Sequence, residues 1–157
     1  MKWGWEDSQE TIKYRRLMQV TEKIKEIKDF LKNCSKEESD LEYIRPIFKR
    51  QMICKDLGIS ELLFELLFYM KKNFMNKYVK VGEGEVGPGY IFHQDPNSWG
   101  KFWELYNVIY EVIYELVRDN LLFKIYVSKW INFVIQDVLV ENEQSHLNLL
   151  KELFKNN

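Results

Sequence analysis

The chain has 157 residues, enough for one domain with a substantial core, and 46% of its residues are hydrophobic while 30% are charged. A formal net charge of -1 gives no excess of positive charge that would favour nucleic acid or an anionic membrane surface. Two cysteines that form no CxxC pair predict reduced thiols in a cytoplasmic protein, without a disulfide framework. The N-terminal residues lack the apolar region of a signal peptide, and no apolar run approaches the roughly 18 residues of a membrane span.

The first half of the chain has the pattern of three helices. The first begins near Asp7 or Ser8, and the second covers about residues 39–57, with Gly58 in a position that suits a left-handed C-terminal conformation. Ser60 is predicted to cap the third helix, which is apolar nearly all round, so we expect neighbouring helices to enclose it. The apolar stripe of the first helix recurs at spacings of three and four: Leu17, Val20, Ile24, Ile27 and Leu31.

The second half begins with a long loop and continues with three helices. Residues 82–98 are rich in glycine, proline and acidic side chains and are predicted to be a flexible loop, and residues 77–81 are at most an isolated extended segment. Two helices follow, joined by Arg118-Asp119-Asn120, of which Asp119 or Asn120 is expected to cap the later one. A sixth, short helix starts at Asn142 or Ser145. The polar face predicted for the helix before the joint comprises Glu104, Asn107, Glu111, Glu115 and Arg118.

These elements predict a single all-α domain over residues 1–157 with about six helices. Apolar stripes of this width need partners on more than one side, and either an up-down bundle or an armadillo-like stack, an α-solenoid segment, would supply them. Periodicity alone does not choose between the two. The residues expected in the core are Leu66, Leu67, Leu105, Ile109, Ile113, Phe123, Trp130 and Val134.

Two segments, taken in their order along the chain, carry a family pattern. The first starts at Arg50-Gln51 and continues through Lys55-Asp56-Leu57-Gly58-Ile59 into a leucine-rich helix. The second starts at Ser98-Trp99 and continues through a long apolar helix and the joint 118–120. Together they resemble the RIH domain, the homology domain that ryanodine receptors and inositol trisphosphate receptors share. The resemblance covers about residues 17–153, and the family also has a variable acidic loop between the two segments.

The resemblance implies an armadillo-like stack that is a non-catalytic scaffold. Domains of this family lie in the cytosolic assembly of tetrameric calcium-release channels, on the cytosolic face of the endoplasmic or sarcoplasmic reticulum. There they transmit ligand-induced motion to a distant pore. The implied partners are therefore neighbouring domains or subunits of such a channel, reached through protein-protein contacts.

The resemblance also implies candidate ligand positions. In inositol trisphosphate receptors the first such domain gives basic and tyrosine side chains to the ligand's phosphates, and Lys55 and Arg118 fall at basic positions of that set. Met52, Val117 and Asp119 stand where basic or aromatic groups are needed, and a carboxylate repels phosphate. The set as a whole therefore does not support inositol phosphate binding.

Arg50 lies in the same locally basic stretch as Lys55, so the candidate binding residues are Lys55, Arg118 and Arg50, for an inositol phosphate or an acidic partner. The alternative is that such side chains are solvated and cover apolar surface. Neither His93 nor His146 has metal-ligand spacing, and both are predicted to lie on the surface. Because no nucleophile, acid-base pair or metal-ligand set stands out, we expect no catalytic residue, no metal and no cofactor.

Residues 92–101 also resemble the groove motif of apoptosis-regulating Bcl-family proteins, in which an asparagine-tryptophan-glycine-basic turn follows a helix. This makes a Bcl-like regulator that binds an amphipathic helix the alternative function, although the downstream Gly-Gly-Trp element is missing. An unrelated helical adaptor is the third hypothesis. A stack of parallel helix pairs would favour the channel domain, and a globule around one central apolar helix would favour the Bcl-like protein.

Overall fold

The fold is known from a computed structural model, which describes residues 2–33, 46–72, 96–141 and 144–155. All regular structure in these residues is helical, which confirms the all-α class. The helices are α1 (Lys2–Lys32), α2 (Pro46–Asp56), α3 (Ile59–Met70), α4 (Pro96–Val117), α5 (Leu121–Val127), α6 (Ile131–Glu141) and α7 (Gln144–Phe154). A 3-10 turn, Ser128–Trp130, joins α5 to α6, so the predicted fifth helix is interrupted there.

The helix ends follow local chemistry that the sequence carries. Gly58 has φ +73° between α2 and α3, a conformation that costs little without a side chain. Asn120 caps α5, because its Oδ1 accepts the backbone N–H of Phe123 at 3.0 Å. Both features were predicted. The predicted cap Ser60 is wrong: it lies inside α3, where its hydroxyl donates to a Glu61 carboxylate oxygen at 3.2 Å.

The helices pack around α4, which contacts α1, α2, α3, α5 and α7 along its length and reaches α6 through side-chain hydrogen bonds. Apart from Glu115, its buried side chains are apolar or aromatic, and full burial of an apolar side chain contributes about 1.5–3 kcal/mol. Two ion pairs fasten α1 to α4: Lys25 donates to Glu104 at 2.5 Å, and Lys28 donates to Glu111. The hydrogen bond from Lys25 lowers the pKa of the Glu104 carboxyl below its ordinary value.

Six of the eight expected core residues are buried, and Leu66 and Trp130 are partly buried against the same cluster. The expectation that neighbours enclose α3 is wrong, because Leu62 and Tyr69 are 58% and 57% exposed. α3 packs against α2 and α4, and its Phe64 and Phe68 contact the rings of Trp130 and Phe133, so the exposed side chains lie on its remaining side. α4 already begins at Pro96, so the last residues of the predicted 82–98 loop are helical, and the loop's other residues lie outside the described part.

Candidate functional site

A buried hydrogen-bond network connects the two sequence segments that carry the family pattern. The side-chain amide of Gln51 in α2 donates to two backbone carbonyls, those of Glu115 and Arg118, each at 2.9 Å. Its Oε1 accepts the Nδ2 of Asn120 at 2.9 Å, and Asn120 in turn caps α5 at Phe123. Gln51 and Asn120 are 0% and 2% exposed, so each of these bonds satisfies a group that water does not reach.

This network, which we name the Gln51–Asn120 network, fixes three helices relative to one another. Gln51 binds the last turn of α4 and the cap of α5 with one side chain. The carbonyls at a helix end lack partners within the helix, and Gln51 supplies one from a neighbouring helix. The angle between α4 and α5 is therefore tied to the position of α2.

The three candidate basic residues lie near this network, but each has a separate partner. Arg50 donates to the carbonyl of Phe30 at 2.6 Å and to that of Asn33 at 3.1 Å, where it stabilises the C-terminus of α1. The ammonium of Lys55 lies 4.6 Å from the ring centroid of Tyr126. Arg118, in the joint, lies 3.4 Å from the carboxylate of Glu115 in the last turn of α4.

Glu115 itself departs from the predicted polar face of α4. It is 4% exposed instead of solvated, and Arg118 is its ion-pair partner. The position is buried because α4 is surrounded on so many sides that even its polar face meets neighbouring helices.

The last turn of α7 closes over the joint between α4 and α5. Asp119 has φ +52°, which is uncommon for a residue with a side chain, and its N–H donates to Oε1 of Glu152 at 2.7 Å. Glu152 also pairs with Lys124 of α5 at 3.1 Å, and Lys155 pairs with the Asp119 carboxylate at 2.7 Å. The joint is thus held by α2 on one side and by α7 on the other.

A second buried polar cluster lies between α4, α6 and α7. The carboxylate of Asp137 accepts hydrogen bonds from the hydroxyls of Tyr106 and Tyr110 and pairs with Lys71, which follows α3. The ring of His146 in α7 lies 4.0 Å from that of Tyr110, centroid to centroid, and 5.1 Å from that of Tyr106. The cluster holds five titratable side chains, and sequence reasoning did not identify it.

The prediction that His146 lies on the surface is wrong. It is fully buried, and neither ring nitrogen has a hydrogen-bond partner. Burial lowers its pKa to about 4, Asp137 acts in the opposite direction, and Lys71 lowers it further. A neutral imidazole therefore packs there as an aromatic ring. His93 lies outside the described residues.

Two depressions mark the surface of the described helices. One, of about 250 Å³, lies between α1, α4 and α7 and contains the ion pair of Lys28 and Glu111. The other, the α1–α2 groove, is about 350 Å³ and is lined mainly by apolar side chains, with Phe30, Ile53 and Leu57 exposed. Burial raises the pKa of the Cys54 thiol, which lines this groove, and so disfavours the thiolate form.

Comparison with known proteins identifies no relative of this chain. The chain matches no family model, no curated protein and no solved structure. Within the described ranges, His, Cys, Asp and Glu side chains form no group of three or more that could hold a metal ion. None of the helices in those ranges is both long and apolar enough to cross a bilayer.

Proposed function

We propose that the chain is a non-catalytic helical scaffold of the RIH type, which transmits motion between neighbouring domains of a calcium-release channel. The observation that carries the proposal is the Gln51–Asn120 network. It gives a physical reason for the pairing of the Arg50-Gln51 segment with the Arg118-Asp119-Asn120 joint, because one residue of each hydrogen-bonds the other. Two segments that lie 69 positions apart thereby act as one structural unit.

A scaffold that transmits motion must move as a rigid body. Buried hydrogen bonds and close packing resist gradual deformation, so a displacement at one helix is passed to its neighbours. Here α2, α4 and α5 share one buried network, and α4 contacts each of the other described α-helices. Displacement of α2 by a neighbouring domain would therefore shift α5. In this proposal the domain works on the cytosolic face of the endoplasmic or sarcoplasmic reticulum.

Calcium release from isolated reticulum vesicles tests this function. Vesicles loaded with calcium are titrated with inositol trisphosphate, with and without the purified chain, and calcium efflux is measured. We expect the folded chain to shift the ligand concentration for half-maximal release, because it competes for contacts between channel domains. The Gln51→Leu variant should lose the shift, whereas Glu65→Gln, on an exposed position of α3, should keep it. Identical titrations with and without folded chain would contradict the proposal.

Calorimetry with inositol trisphosphate tests ligand binding separately. The candidate side chains Arg50, Lys55 and Arg118 are each engaged with another group, and Asp119 adds a negative charge beside Arg118. We therefore expect no saturable heat. Saturable binding that disappears in Lys55→Gln would assign the family's ligand chemistry to this chain.

A second function is favoured by the central position of α4. Its contacts with α1, α2, α3, α5 and α7 form the globule around one helix that a Bcl-like regulator would have, and residues 97–101 stand at its N-terminus. The α1–α2 groove would then be the surface that receives an amphipathic helix. Titration with a fluorescent BH-three peptide helix decides: saturable binding that Ile53→Glu abolishes would favour this function over the scaffold. The matched control peptide has its central leucine replaced by glutamate.

A further inference from the structure

The outer face of α5 exposes large apolar side chains. Leu121, Leu122 and Ile125 are 54%, 59% and 62% exposed, although α5 has only seven residues. Spacings of three and four positions place them on one side of the helix, and the other side is buried through Phe123 and Val127. Single exposed apolar residues are ordinary, but adjacent ones form a patch of the kind that marks interaction sites. We name these three exposed residues the α5 patch.

Aromatic rings hold two lysine side chains at the edge of the α5 patch. The ammonium of Lys55 in α2 lies 4.6 Å from the ring centroid of Tyr126, and that of Lys129 lies 4.4 Å from the same centroid. Lys129 also lies 4.3 Å from the ring of Trp130. These cation–π contacts position each ammonium, which still has N–H groups to donate to a partner. Since Tyr126 follows Leu122 by one helical turn, both charges border the patch.

The positive charge at this edge is only partly neutralised. Within the described ranges, Glu61 is the one carboxylate at ion-pair distance from either ammonium, and it lies 3.9 Å from Lys129. Asp56 follows Lys55 in α2, but successive residues of a helix do not face each other. The chain from 121 to 130 contains no acidic residue. Two ammoniums around one ring therefore give the edge of an apolar surface a positive potential.

We propose that the α5 patch is a docking surface for an acidic amphipathic helix of another protein. Apolar side chains along one stripe of that helix would pack on the patch, and carboxylates beside the stripe would pair with Lys55 and Lys129. A helix suits this surface because side chains that recur every three or four positions form one apolar stripe with polar flanks. Apolar burial would supply most of the affinity, and the two lysines would select the charge of the partner.

Fluorescence anisotropy with the full chain tests this docking surface. The probe is a fluorescein-labelled peptide helix of about four turns, with leucines along one stripe and glutamates on both sides of it. We expect saturable binding with a Kd below about 100 μM, which Ile125→Glu weakens about tenfold or more by placing a carboxylate against the leucines. Leu122→Glu should have the same effect and replaces Ile125→Glu if that variant does not fold. The matched control is Leu139→Glu, at a 78% exposed position of α6, which should bind like the natural chain.

Two further peptides separate the roles of charge and apolar contact. One has lysine in place of every glutamate, and the other keeps the glutamates but has alanine in place of every leucine. We expect both to bind about tenfold more weakly than the first peptide, and Lys55→Gln to weaken binding of the first peptide about threefold. If either altered peptide binds as tightly as the first, or if the first shows no saturable binding, the proposal is overturned.

Other occupants of this surface would give different results. Binding that Ile53→Glu abolishes and Ile125→Glu leaves intact would place the peptide in the α1–α2 groove and overturn the proposal. Sedimentation equilibrium should show a monomer, because self-association that Ile125→Glu abolishes would mean that a second copy covers the patch. The proposal does not depend on the channel function. Its failure would leave the calcium-release experiment unaffected, and the reverse also holds, since the probes here are designed peptides.

Discussion

Acid should destabilise this protein through one buried histidine. His146 is packed against Tyr106 and Tyr110, with no exposed surface and no hydrogen-bond partner for either ring nitrogen. The charged groups that face it are Asp137 of α6, which accepts both tyrosine hydroxyls, and Lys71, which pairs with Asp137. Burial lowers the pKa of His146 to about 4, from an ordinary value of 6.5. A proton therefore binds the unfolded chain more readily than the folded one.

The sign and size of the effect follow from that difference. Above pH 6.5 the histidine is neutral in both states, and its contribution to the free energy of unfolding is fully present. As the pH falls from 6.5 to about 4, the unfolded state gains a proton that the folded state does not, which costs about 1.4 kcal/mol of stability per pH unit. At pH 5 the loss is therefore about 2 kcal/mol, and below pH 4 it stays near 3 kcal/mol.

Urea unfolding, followed by far-ultraviolet circular dichroism at pH 7 and pH 5, measures this loss. His146→Phe fits the aromatic surroundings and cannot bind a proton, so it isolates the histidine from the carboxylates, which titrate alike in both proteins. We expect the natural chain to lose about 2 kcal/mol more than the variant between the two pH values. Equal losses would refute the reasoning, because the histidine would then bind protons equally well in both states.

Three substitutions test the packing and the joint by the same unfolding measurement. Gln51→Leu leaves the Asn120 amide and two backbone carbonyls without partners in the interior, so it should cost about 3 kcal/mol, and a cost below about 1 kcal/mol would contradict the network. Trp130→Ala should lower the free energy of unfolding by about 2 kcal/mol. The ring stacks on Phe64 at 4.4 Å but is partly exposed, so the loss is smaller than for a fully buried tryptophan. An unchanged free energy of unfolding would show that Trp130 does not contribute to the core. Asp119→Gly should change stability by less than about 0.5 kcal/mol, because relief of the left-handed strain is offset by the added entropy of the unfolded chain and by loss of the exposed pair with Lys155; a loss above about 1.5 kcal/mol would contradict this balance.

The helices and their ends could be predicted because the signals are local. Spacings of three and four place Ile24 and Leu31 on the buried side of α1, and both are buried. Gly58 and Asn120 fix helix ends through their own backbone preference and side chain, so no distant residue is needed to identify them. Boundaries that lack such residues were less accurate: α1 begins at Lys2 instead of near Asp7.

The buried polar residues could not be predicted as clusters, because their partners lie on other helices. Asp137 binds Tyr106 and Tyr110, which are 31 and 27 positions away. A periodicity argument assigns polar residues to the outer face, yet Asp137 follows the buried Val134 by three positions, and His146 precedes the buried Leu149 by three. Their position on the buried stripe was the available signal for an interior location, but their polar chemistry led to the prediction of a surface location for His146.

The joint shows why the two family-like segments must occur together. Asn120 alone would cap α5 wherever α5 pointed, because a cap constrains only its own helix. Gln51 binds both the Asn120 side chain and the backbone carbonyl of Arg118, so the direction of α5 depends on the position of α2. Glu152 then fixes Asp119 from the opposite side. Since α2 and α7 bind adjacent residues of one short joint, a movement of either helix would be passed to α5 through these bonds, as the proposed scaffold function requires.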